Sequence, residues 1–101
     1  MRVERIDNME MKLIKKSITG GSVEAFNFDV NGYEFLVKNL NDTTIYVAFK
    51  NTSTTDDMIE IPANCCQICV INKSLNEPNC SKSIYVYSAS NVEVEVQCIR
   101  Y

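Results

Sequence analysis

Residues 92–98 read Val-Glu-Val-Glu-Val-Gln-Cys, apolar and polar in strict alternation. A period of two belongs to the β-strand, where successive side chains point to opposite faces. Val92, Val94, Val96 and Cys98 therefore share a buried face, and Glu93, Glu95 and Gln97 a wet one. The same period recurs along the chain. Residues 23–30 set Phe26, Phe28 and Val30 against Asn27 and Asp29. Residues 33–39 group Tyr33, Phe35 and Val37, and residues 44–50 set Ile45, Val47 and Phe49 against Tyr46, Ala48 and Lys50. Residues 83–88 set Ile84, Val86 and Ser88 against Tyr85 and Tyr87. Residues 11–18 read as a first, partly exposed strand, with Ile14 and Ile18 on one parity.

Turn chemistry separates these segments. Gly20-Gly21 breaks the first strand. Asn31-Gly32 predicts a two-residue hairpin, because both residues tolerate positive φ. Residues 39–42, Asn-Leu-Asn-Asp, predict a turn closed by Asx hydrogen bonds. Residues 58–61 are a short strand stopped by Pro62, which marks an edge or an exit. Residues 65–71 are continuous and apolar, which predicts a strand covered on both faces. Residues 51–57 and 72–83 are polar loops.

The tally is seven or eight strands with links too short for parallel crossovers. Ten valines and ten isoleucines against four leucines and four alanines favour the same outcome, since β-branched side chains lose rotamer freedom in a helix. The expected fold is all-β, an antiparallel β-sandwich, jelly-roll-like. Its 101 residues make one domain. Residues 1–22 form an N-terminal arm or a first edge strand, and residues 23–101 the sandwich.

Net charge is −3, so there is no electrostatic footprint for nucleic acid. The first 22 residues lean basic, with Arg2, Arg5, Lys12, Lys15 and Lys16 against Glu4, Asp7 and Glu10. They read as a solvated segment. No apolar run approaches the ~20 residues of a membrane span. The opening residues lack the apolar core of a secretory signal, which predicts a reducing cytoplasm, and the odd count of five cysteines agrees with it.

There is no histidine, which excludes Ser-His-Asp and Cys-His catalysis. Three glycines and no Gly-Lys-Ser/Thr context exclude a phosphate-cradling loop. Glu93 and Glu95 share a face and are formally a carboxylate pair, but they read as the wet side of a strand. Asp42, Asp56 and Asp57 lack the spacing of a calcium loop. Cys66 and Cys69 have the spacing of a zinc knuckle, with Cys80 and Cys98 as the remaining candidate ligands. On a strand, alternation puts Cys66 opposite Cys65 and Cys69, which favours core packing over metal. Tyr46, Tyr85, Tyr87 and Tyr101 are the candidate interaction residues, each with an apolar body and a polar tip. Tyr85 and Tyr87 back onto Ile84 and Val86, so that strand is apolar on both faces, which predicts burial in a homo-oligomer.

Residues 30–39, Val-Asn-Gly-Tyr-Glu-Phe-Leu-Val-Lys-Asn, with 45–49, Ile-Tyr-Val-Ala-Phe, resemble small virion proteins of tailed phages of Gram-positive bacteria. The Ile61-Pro62-Ala63-Asn64 turn belongs to the same pattern. So does the closing strand pair, Ile84-Tyr85-Val86 and Val94-Glu95-Val96-Gln97. The resemblance spans residues 23–101. It implies a capsid-associated accessory protein of decoration or head-fibre type, a non-enzymatic β-sandwich without cofactor. It implies a homo-oligomer, a trimer before other numbers, built in the host cytoplasm and bound to the major capsid protein or another virion protein. The alternative from the residues alone is a carbohydrate- or protein-binding module that uses the tyrosines.

Overall fold

A computed structural model describes residues 12–52, 54–71 and 80–101. Among these, eight strands follow one another: β1 (Leu13–Ile18), β2 (Val23–Gly32), β3 (Glu34–Asn39), β4 (Ile45–Ala48), β5 (Ile59–Ile61), β6 (Cys65–Val70), β7 (Ser81–Tyr87) and β8 (Val92–Arg100). The one helical element among them is a 3-10 turn at Thr55–Asp57. Every strand pairing is antiparallel.

The strands form two four-stranded sheets. Sheet A has the order β1-β8-β3-β6, and sheet B the order β2-β7-β4-β5. Successive strands thus mostly cross between sheets, and each sheet collects strands distant in sequence. This is the strand order of the eight-stranded jelly roll. The expected antiparallel sandwich of jelly-roll type is the observed fold.

Alternation decides what lies between the sheets. Phe35 and Val37 of β3, Val94 and Val96 of β8, and Ile84 and Val86 of β7 are all buried. Phe35 is the hub, with its ring 5.4 Å from Phe28 and 5.7 Å from Phe49. A mixed core of valine, isoleucine and phenylalanine suits the flat, half-buried faces of strands.

Two expectations are corrected. Asn31-Gly32 does not make a hairpin. β2 runs through Gly32 in sheet B and β3 starts two residues later in sheet A, so the segment is a corner between sheets. Gly21 has a positive φ, but Gly32 does not. Gly32 is required for space: a Cβ there would collide with Cys98 Sγ and lie 2.6 Å from the Phe35 ring.

β6 is not covered on both faces. It is the edge of sheet A, and Cys69 is its one buried residue. The strand packed across from it is β5, only three residues long, which is too short to cover it.

The described part of residues 1–22 belongs to the sandwich. β1 pairs with β8 from Leu13 to Ile18, and Ile18 is buried. Of the two readings of this segment, residues 13–18 are an edge strand of the domain; residues 1–11 lie outside the described residues.

At one end of the sandwich a buried amide ties the sheets together. Asn39, the last residue of β3, is fully buried. Its Nδ2 shares two N–H groups among three carbonyls, those of Thr43 at 2.9 Å, Ile61 at 3.1 Å and Pro62 at 2.9 Å. Its Oδ1 accepts from the Asn41 side chain at 3.0 Å and backbone at 3.3 Å. Asn41 in turn donates to Glu93 O on β8 at 2.8 Å. The predicted Asx turn exists, and it meets the Ile61-Pro62-Ala63-Asn64 turn, where Asn64 takes a left-handed φ of 58°.

Candidate functional site

Three of the four singled-out tyrosines come together on the outer face of sheet B. On β7, Ile84 and Val86 point into the core, so Tyr85 and Tyr87 point out. On β4, Ile45 and Val47 point in, so Tyr46 points out. Register then makes rows. Val23, Tyr87, Tyr46 and Glu60 lie side by side across β2, β7, β4 and β5. Ala25, Tyr85 and Ala48 form the next row. The Tyr46 and Tyr87 rings are 6.1 Å apart and tilted by 47°, within the range of favourable aromatic pairs. All three tyrosines are half-buried.

Tyr101 is not in this group. It follows β8 in sheet A, is exposed, and has the Lys12 ammonium 4.4 Å from its ring centre, a cation–π distance.

The tyrosine face opens at one end into a cleft of about 440 Å³ lined by Gly21, Val23, Thr52, Thr54, Thr55, Met58 and Tyr87. The threonines come from the polar loop. Thr54 caps the 3-10 turn, its hydroxyl accepting from the Asp56 N–H at 3.3 Å. The cleft therefore offers an aromatic wall, one thioether and several hydroxyls, a lining suited to hydrogen bonding and stacking rather than proton transfer. The Thr54-x-Asp56 spacing is a capping signal, but nothing in the sequence places that loop beside Tyr87.

The cysteines are drawn apart. Cys66 is exposed on the outer side of β6, while Cys69 and Cys98 are buried on the inner side, flanking Phe35 from the two neighbouring strands. Cys80 is half-buried just before β7, and Cys65 is exposed. Burial pushes the Cys69 thiol up to about 11 and raises Cys98 as well, the opposite of an activated thiolate. Among the described residues no three cysteine or carboxylate side chains converge as metal ligands.

Of the two glutamates of β8, Glu93 is exposed and Glu95 half-buried. Glu95 accepts from Lys38 Nζ at 2.9 Å and lies 3.8 Å from Lys15 Nζ. The Lys38 contact holds its carboxyl below the usual range, whereas a general acid needs its carboxyl raised. Asp42 lies 3.5 Å from Asn64 Nδ2 in the turn beyond β3, and Asp56 and Asp57 are exposed in the 3-10 turn.

Comparison with family models, curated proteins and solved structures finds no match to this chain.

Proposed function

We propose that this chain is a non-enzymatic, self-associating structural protein of phage particles, a capsid-associated piece that works through its surfaces. The observation that carries the reading is the outer face of sheet B, where Tyr46, Tyr85 and Tyr87 stand in adjacent rows beside an open cleft. Tyrosine in such a position contributes contact area at small entropic cost. The jelly roll is also an architecture of viral capsid and lectin domains, an analogy of fold only. The absence of histidine from the chain and the depressed Glu95 carboxyl favour a passive role over acid–base chemistry.

Quantitative mass spectrometry of particles purified from an infection that expresses the chain tests this. Stoichiometric incorporation, lost in the double variant Tyr85→Ala/Tyr87→Ala, is the expected result. A chain left entirely in the soluble fraction overturns the reading. Removing residues 1–11, which leaves the eight described strands intact in sequence, then reports whether that segment attaches the domain.

The second reading is a carbohydrate-binding module, favoured by the pairing of Tyr87 with Thr52, Thr54 and Thr55 in one cleft. Sugar rings stack on aromatic faces and use hydroxyl partners. Saturable binding on a glycan array that is lost in Tyr87→Ala supports it, and unchanged binding in that variant removes it.

A further inference from the structure

We propose that β6 is the surface through which two copies of this chain join, sheet A to sheet A, as an antiparallel pair centred on Ile68. The proposal rests on the self-associating reading above and specifies its interface.

A sheet edge with free backbone groups is a template for another strand, and proteins normally blunt such edges. Three of the four edges here are blunted. β1 carries Lys15 and Lys16. β2 carries Glu24 and Asp29. β5 is three residues long, carries Glu60 and runs into Pro62. β6 has six residues, no charge, no proline and no break in its register with β3. It also exposes apolar side chains: Ile68 is 52% exposed and Val70 51%.

Among the described residues, the backbone groups that β6 leaves free can be assigned. Cys98 donates its N–H to Lys12 O, toward β1. Direction alternates along a strand, so Glu95 and Gln97 turn toward β3, where Lys38 and Leu36 face them. Phe35, Val37 and Asn39 then turn toward Cys69, Gln67 and Cys65 of β6. The bond from Ile71 N–H to Tyr33 O fits this phase. Cys66, Ile68 and Val70 therefore aim their N–H and C=O groups outward. Gln67 Nε2 rests on Ile68 O at 3.4 Å, a long contact that an incoming strand displaces.

A second copy meets these groups in one register. A two-fold axis at Ile68 sets Ile68 against its own mate and Cys66 against Val70, so all three outward residues donate and accept in both copies. On the outer face, Leu36 and Ile68 of one copy continue into Ile68 and Leu36 of the other. The next row runs Lys38, Cys66, then Val70 and Glu34 of the second copy. The cationic flank of one strand thus shares a row with the anionic flank of its mate, and the pairing meets no like-charge penalty. The interface is small against the roughly 800 Å² per partner of a standard one, so the dimer forms reversibly, with dissociation in the micromolar range.

Sedimentation of the full chain over a concentration series up to about 1 mM tests the proposal. The wild type is expected to approach twice its 11.5 kDa mass. Ile68→Lys places like charges across the axis and should weaken association roughly 100-fold or more. If Ile68→Lys does not fold, Val70→Lys serves, and circular dichroism confirms the fold of either. Register is read in a Cys65→Ser/Cys66→Ser background. There Ile68→Cys should oxidise to a linked dimer, because facing Cα atoms about 5.5 Å apart suit a disulfide, and Val70→Cys should not. A trimer, or an oligomer that survives Ile68→Lys, overturns the β6 interface and leaves self-association standing. A monomer throughout overturns both.

Discussion

Asn39 gives the sharpest test of what holds the two sheets in place. Three carbonyl oxygens surround its Nδ2, those of Thr43, Ile61 and Pro62. Carbonyls only accept, so the amide can be oriented in one way. Asn39→Ala deletes these bonds and the acceptor for Asn41. Each bond is worth about 1 kcal/mol net, and a buried acceptor left bare costs about 1–3 kcal/mol. Ile61 O is reached from the buried side, while Thr43 O and Pro62 O are partly open and recover water. The loss is therefore about 3–4 kcal/mol. That is a large share of the 5–15 kcal/mol that holds a domain of this size together. At about 4–8 °C per kcal/mol, the melting temperature falls by about 12–32 °C.

Asn39→Asp separates hydrogen bonding from shape. The side chain is isosteric, but a carboxylate cannot donate and sets a negative charge against three carbonyl oxygens. At pH 7 the stability order should be wild type, then Asn39→Ala, then Asn39→Asp. Burial and the facing carbonyls raise this carboxyl in the folded state, so the penalty grows as pH rises above the unfolded value of about 4; below it the hydroxyl can donate to one carbonyl and the gap between the two variants is narrowest. Calorimetry across this pH range measures the order. An Asp variant as stable as Ala at pH 7 refutes the assignment of the amide as a donor hub.

Gly32→Ala should lower stability by about 1–3 kcal/mol through overpacking against Cys98 and Phe35, measured by urea unfolding; wild-type stability would contradict the close approach. At pH 8, alkylation followed by peptide mass spectrometry should label exposed Cys65 and Cys66 rapidly and buried Cys69 only on unfolding. Because burial raises Cys69 from about 9 to about 11, its contribution to stability is full below pH 9 and is lost as pH climbs through 11; Cys69→Ala should remove that alkaline loss, and an unchanged alkaline limb would refute it. Asn64→Gly should be neutral and Asn64→Val should cost about 1–2 kcal/mol, since φ is 58° there, with thermal melts as the readout.

Much of the fold is written in period-two alternation, and β8 shows why. Valines and glutamates take turns there with no tertiary help, so the element and its two faces are both legible. The order of strands is not, because β8 sits between β1 and β3, from the far end of the chain. Asn31-Gly32 misleads for a local reason: the dipeptide permits positive φ, but Gly32 serves volume, and the volume belongs to Cys98 and Phe35. β6 misleads for the opposite reason. An uninterrupted apolar run marks a strand covered on both faces only if something is there to cover it, and a three-residue β5 is not. The tyrosine site was half legible. Alternation sets Tyr85 and Tyr87 on one face, yet only the β4–β7 pairing brings Tyr46 beside them and leaves Tyr101 out.

The two surfaces singled out here lie on opposite sheets, and that placement has consequences for assembly. Pairing at β6 extends sheet A about an axis perpendicular to its plane, so both copies keep sheet B on the same side. Two tyrosine faces and two clefts then point one way. A target with repeated sites, such as a capsid lattice, would engage both, and the second contact forms at the effective concentration set by the rigid pair. Weak single contacts suffice under that geometry. Ile68→Lys, which touches no residue of the tyrosine face, should therefore lower retention on particles far more than it lowers binding to one isolated target subunit. Equal losses in both assays would mean that the two surfaces do not cooperate.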